Sequence, residues 1–95
     1  MSTPIVDKPE IILPTEGAEE SLRPTFIGPA IIGGKVTVAL DDGTVLGSVD
    51  VMSSGQWQVP SLSSWEKEEY QVKARQNVEG VDSEWTELRT FTVVG

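Results

Sequence analysis

Short apolar alternations recur along this chain and are separated by Gly, Pro, Ser and Asp. The clearest spans residues 35–40, where Val36, Val38 and Leu40 alternate with Lys35, Thr37 and Ala39. That period of two predicts a strand with one set on each face. Asp41, Asp42 and Gly43 follow, residue types that tolerate positive φ, so the chain is expected to turn back as a hairpin into residues 44–51. The phase slips there, because Leu46 is out of step with Val49 and Val51, and a bulge at Gly47 reconciles the two.

The other runs are shorter. Residues 10–13 read as a first edge strand closed by Pro14, and residues 15–22, with Glu16, Glu19 and Glu20, as a solvated connection. Residues 23–28 form the second strand around Phe26, with Pro24 tolerated at its start. Trp57 and Val59 alternate with Gln56 and Gln58 up to Pro60, and the acidic stretch 61–69 has room for one helical turn around Trp65 at most. Tyr70, Val72 and Ala74 then face inward against Gln71, Lys73 and Arg75; residues 77–87 make a long connection, and Phe91 with Val93 closes the last strand. The count is seven strands, and their spacing is that of an all-β sandwich or barrel. The predicted core is Phe26, Val36, Val38, Val49, Val51, Trp57, Tyr70, Val72, Phe91 and Val93. Residues 1–8 read as a linker or flexible tail, and residues 9–95 as one domain.

Composition narrows the function classes. Seven basic against fifteen acidic residues leave a net charge of −8, which opposes the phosphate neutralisation that nucleic-acid binding requires. No apolar run approaches the length of a membrane helix, and neither a nucleic-acid partner nor membrane insertion is expected. The chain has no His and no Cys, the commonest proton shuttle and a common nucleophile. Its carboxylates fall in loops or at outward strand positions, so no enzyme and no catalytic residue is assigned.

Five short stretches occur in order: Arg23 to Gly28, Gly34 to Val38, Gly43 to Gly47, Ser54 to Trp57 and Tyr70 to Gln76. Together they resemble the bacterial Ig-like domains repeated in large surface proteins and adhesins, over about residues 9–94. The resemblance implies a seven-stranded antiparallel immunoglobulin-like (Greek-key) sandwich. It also implies a non-catalytic structural or spacer module in tandem array, at the cell surface or outside the cell as part of a larger chain. Its partners would be neighbouring domains of the same chain, with a host-surface protein or glycan as a further class. Tyr70, placed a little after Leu62, resembles the tyrosine corner of such sandwiches, whose hydroxyl bonds the backbone upstream. Two loops depart from the pattern: residues 63–69 around Trp65, and the stretch containing Ile31 and Ile32.

Three groups of residues carry candidate chemistry. Asp41 and Asp42, with Asp82 and Asp7 as further contributors, offer carboxylates of the kind calcium takes. Turn geometry already accounts for Asp-Gly at a hairpin, the alternate-position ligands of a full site are missing, and no cofactor is assigned. Trp65 and Trp85 are candidates for stacking on a ligand such as a sugar ring, which supports the alternative of a carbohydrate- or protein-binding module. Ile31 and Ile32, with Val81 expected at the same pole, are candidates for contact with a preceding domain.

Overall fold

A computed structural model describes residues 6–61 and 64–94. Its strands are β1 (Ala18–Glu20), β2 (Phe26–Pro29), β3 (Lys35–Leu40), β4 (Val45–Asp50), β5 (Gln56–Val59), β6 (Glu69–Val78), β7 (Val81–Asp82) and β8 (Arg89–Val93). One sheet runs in the order β1-β8-β6-β3-β4, with β7 paired to β6, and the other joins β2 to β5. No helix occurs among the described residues.

Alternation decides which faces meet. Val36 and Val38 of β3, Val72 and Ala74 of β6, and Phe91 and Val93 of β8 pack against Phe26, Trp57 and Val59 of the second sheet, joined by Ile11 and Val51. Removing these apolar surfaces from water is the main force holding the two sheets together. Trp57 is completely buried and its indole N–H donates to the Pro29 carbonyl at 3.2 Å. Val49 and Tyr70 are half-buried and pack against this core.

Several elements differ from expectation. Residues 10–13 form no full strand: the amides of Glu10 and Ile12 donate to Pro29 and Ile27, and a single bridge joins Leu13 to Ile27. Pro14, which has no N–H, ends that pairing. The chain then crosses to the other sheet, where β1 lies parallel to β8, with Ala18 opposite Phe91 and Glu20 opposite Val93. β1 falls inside the stretch read as a solvated connection, because three small or acidic edge residues carry no alternation to detect. The bulge in the β3–β4 hairpin has Leu46, not Gly47, as its extra residue: Val38 pairs with Gly47 and Ala39 with Val45. Gly47 is needed for a different reason, since a Cβ there would come within 2.8 Å of Val59 Cγ1. Within the long connection read at 77–87, β6 continues to Val78 and turns through Glu79 and Gly80, both at positive φ, into β7.

Gln76 and Glu69 lie toward opposite ends of β6, about 23 Å apart at strand rise. Asp7 contacts the first and the backbone around Val93 the second. The described chain therefore enters at one pole of the sandwich and leaves at the other.

Candidate functional site

The pole where the chain enters is organised by one buried amide. Gln76 continues the inward phase of Val72 and Ala74 and is 1% exposed. Its Oε1 accepts from the Ile31 amide at 3.0 Å, its Nε2 donates to the Asp7 carbonyl at 2.6 Å, and its backbone N–H donates to Ser83 Oγ at 3.0 Å. Four segments are thereby tied together: the N-terminal stretch, the loop before β3, the end of β6 and the stretch after β7. Ile31 and Ile32 are exposed on this pole, 62% in the case of Ile32, together with Met52. Ile32 lies beside the turn containing Gly55. Val81 pairs with Val78, whose side chain packs at Gly34, so the structure brings Val81 to the same end as Ile31 and Ile32.

The opposite pole is capped by aromatic rings. Trp65 stands edge-on to Tyr70 with centroids 4.7 Å apart and lies 5.8 Å from both Phe26 and Phe91. Its ring thus covers one end of the core. The Tyr70 hydroxyl donates to the Glu66 carbonyl at 2.8 Å, the upstream backbone bond that the corner geometry calls for. Leu62 and Ser63 lie outside the described residues. Burial, with a smaller contribution from the Glu68 and Glu66 carboxylates, raises the Tyr70 phenol above its ordinary pKa.

Trp85 occupies another surface. It packs on the outward face of β6, where Lys73 Nζ and the Arg75 guanidinium carbon lie 4.7 and 4.6 Å from its ring centroid. Trp65 and Trp85 are therefore on different sides of the sheet and do not form one platform.

The carboxylates are dispersed too. Asp41 and Asp42 follow the Leu40 end of β3, whereas Asp82 pairs with Asn77, which neighbours Lys35 at the other end. The Thr44 amide donates to Asp42 Oδ1 at 2.9 Å, and this bond, followed by one from the Thr44 hydroxyl, holds the Asp42 carboxyl below its usual pKa. Asp82 Oδ1 accepts from the Asn77 side chain at 3.0 Å. Among the described residues no three acidic groups converge as metal ligands would. A groove of about 730 Å³ runs between residues 8–12 and 86–89, with charges of both signs from Lys8, Glu10, Glu87 and Arg89.

Comparison of the whole fold with solved structures gives a match to the BSP domain of a biofilm-associated protein, at TM-score 0.73 and 17% identity. The chain is an immunoglobulin-like sandwich. That match covers 94% of this chain but 14% of the other, so the sandwich corresponds to one small part of a much longer protein. CopC from Methylosinus trichosporium OB3b is similar at TM-score 0.57 and 11% identity, over 90% of this chain and 92% of that one. No protein-family model and no curated protein matches the sequence. At the level of fold, the sandwich is of the Ig-like kind that the resemblance to bacterial Ig-like domains implied, but it has eight strands where seven were expected and its β1–β8 pair is parallel, not antiparallel.

Two features of this sandwich escaped the sequence reading. Gln76 had a signal, since the phase of Val72 and Ala74 points it inward, but an amide there gave no hint of its partners. Lys73 and Arg75 read as solvated positions, and nothing local places Trp85 over them.

Proposed function

We propose that this sandwich is a non-catalytic spacer module in a linear array of domains, within an adhesin-like surface or secreted protein. The observation that carries this reading is the placement of the two ends of the described chain, near Asp7 and Val94, at opposite poles, each pinned to the body. Gln76 holds Asp7 at one pole, and the Val93 and Val94 amides donate to the Glu68 and Glu20 carbonyls at the other. A module so built transmits direction from one neighbour to the next. The match to a small part of a long biofilm-associated chain supports the same reading.

Ile31, Ile32 and Val81 then serve as the contact with a preceding domain, since their pole also receives the N-terminal segment. Contacts between consecutive domains bury on the order of 600–1,500 Å², and exposed isoleucines suit such a surface. Two copies of this chain joined head to tail provide the test, with shape measured by small-angle scattering and relative orientation by residual dipolar couplings. An extended particle is expected. The substitutions Ile31→Ser and Ile32→Ser together should increase motion between copies while barely changing the melting temperature of one copy. A folded-back pair would reject the linear arrangement, and equal rigidity with and without the isoleucines would reject the contact.

A further inference from the structure

The main sheet is bare along one short stretch of its edge. β1 pairs with β8 from Phe91 to Val93, and Gly17 and the Glu16 side chain engage the carbonyl and amide of Thr90. Before Thr90 the groove of about 730 Å³ separates residues 86–89 from residues 8–12, a volume in the range of ligand sites. Hydrogen-bonding direction alternates along a strand, so one step back from Thr90 the amide and carbonyl of Leu88 also turn away from β6, into the groove. On the other wall Glu10 and Ile12 direct their amides to β2, which turns the backbone of Ile11 toward the groove. Neither the Leu88 nor the Ile11 amide has a backbone partner among the described residues. Ile12 and Leu88, 50% and 43% exposed, place apolar surface on the two walls.

The cations of the groove are already matched, and the charge left over has one sign. Lys8 lies 4.0 Å from Glu84, and Arg89 lies 3.6 Å from Glu16 and donates to the Pro14 carbonyl. Glu10 and Glu87, on opposite walls, have no cation within 4.0 Å among the described residues. We infer that the groove takes an extended peptide in which apolar residues alternate with lysine or arginine, added as a strand beside Leu88. Backbone pairing supplies affinity that does not depend on sequence, as when a peptide extends the edge of a sheet. The peptide's apolar side chains cover Ile12 and Leu88, and its cations pair with Glu10 and Glu87. β1 shows how short such a strand can be, since three residues pair with β8 there. A second copy of this chain is a poor occupant: its net charge is −8, and its own alternation of apolar and basic residues, Val72 to Arg75, is already held in β6 between β3 and β8. None of these residues belongs to the pole of Ile31 and Ile32, so peptide binding is independent of the spacer arrangement.

The test is a titration of the whole 95-residue chain with a blocked heptapeptide alternating valine with lysine, followed by amide chemical shifts and hydrogen exchange. Saturable shifts are expected at residues 10–12 and 86–88, with slower exchange of the Leu88 amide in the complex. The counterpart alternating valine with glutamate should produce neither. Glu10→Gln with Glu87→Gln should weaken binding by about tenfold, the effect of losing two part-exposed ion pairs. A matching melting temperature would show that the variant is folded. No saturable shift at millimolar peptide, an unprotected Leu88 amide in the complex, equal binding of the glutamate peptide, or undiminished binding by the double variant would each overturn the inference. Concentration-dependent shifts at the same residues without peptide would assign the groove to a second copy instead, and overturn it as well.

Discussion

Gln76 and Asp7 are sixty-nine positions apart in sequence, yet the buried side-chain amide of the first donates to the backbone carbonyl of the second at 2.6 Å. The same side chain accepts from Ile31, so one residue fixes both the incoming segment and the loop that carries the exposed isoleucines. Replacing Gln76 with Ala leaves the Ile31 amide without its partner and opens a small void. A loss of about 2–3 kcal/mol is expected, from one unsatisfied buried donor and the lost packing. Chemical denaturation measures it. Amide exchange at Ile31 should accelerate, and the order parameter at Asp7 should fall; unchanged values at both would contradict the bridging role.

Gly28 lies directly against the backbone of Glu10. A Cβ there would collide with the Glu10 carbonyl and come within 3.0 Å of Trp57 Nε1. Gly28→Ala should therefore destabilise by at least about 2 kcal/mol, as overpacking against backbone does, and should displace the N-terminal segment before the core melts. A two-state melt with an unshifted midpoint would show that the contact is soft.

Trp57 fills the centre of the sandwich. Trp57→Ala should cost about 3–5 kcal/mol, a large share of the stability available to a domain of this size. Urea titration monitored by circular dichroism checks it, and a loss below about 1 kcal/mol would contradict its packing role.

Two groups give opposite dependences on pH. Asp42 titrates below its ordinary value of 3.8, so the folded state binds fewer protons than the unfolded state as pH falls toward and through that region. Its contribution is present above pH 3.8 and is lost as pH falls through the lower folded value. Tyr70 titrates above 10.0 in the fold; its contribution is present below that pH and is lost as pH rises through the higher folded value. Carboxyl and phenol carbon shifts followed through titration report both midpoints, and an Asp42 midpoint at or above 3.8 would contradict its bond from Thr44.

The central sheet was legible because β3, β6 and β8 bury one face each, and burial writes a period of two into the sequence at Val36 and Val38, Val72 and Ala74, and Phe91 and Val93. β1 was not legible, since its place is set by backbone pairing at an edge, which Ala18, Glu19 and Glu20 satisfy as well as any residues would. β7 was hidden for a similar reason: a two-residue strand is made by the positive φ of Glu79 and Gly80 at its turn. The candidate residues fared by their range of interaction. Ile31, Ile32 and Val81 could be placed at one pole from strand connectivity, whereas the meeting of Trp85 with Lys73 and Arg75 depends on how a loop folds back over a sheet.

The parallel pairing of β1 with β8 has a mechanical meaning. Tension applied through the two ends draws β1 toward the pole of Asp7 and β8 toward the opposite pole, so the strands are sheared along their common axis. Their hydrogen bonds are then loaded together instead of opening one by one from an end. Glu16 and Arg89 reinforce the clasp: Glu16 accepts from the Thr90 amide at 2.9 Å, and Arg89 donates to the Pro14 carbonyl at 3.0 Å. A chain of such units would yield abruptly under pulling, each domain holding its length until this short seam gives way.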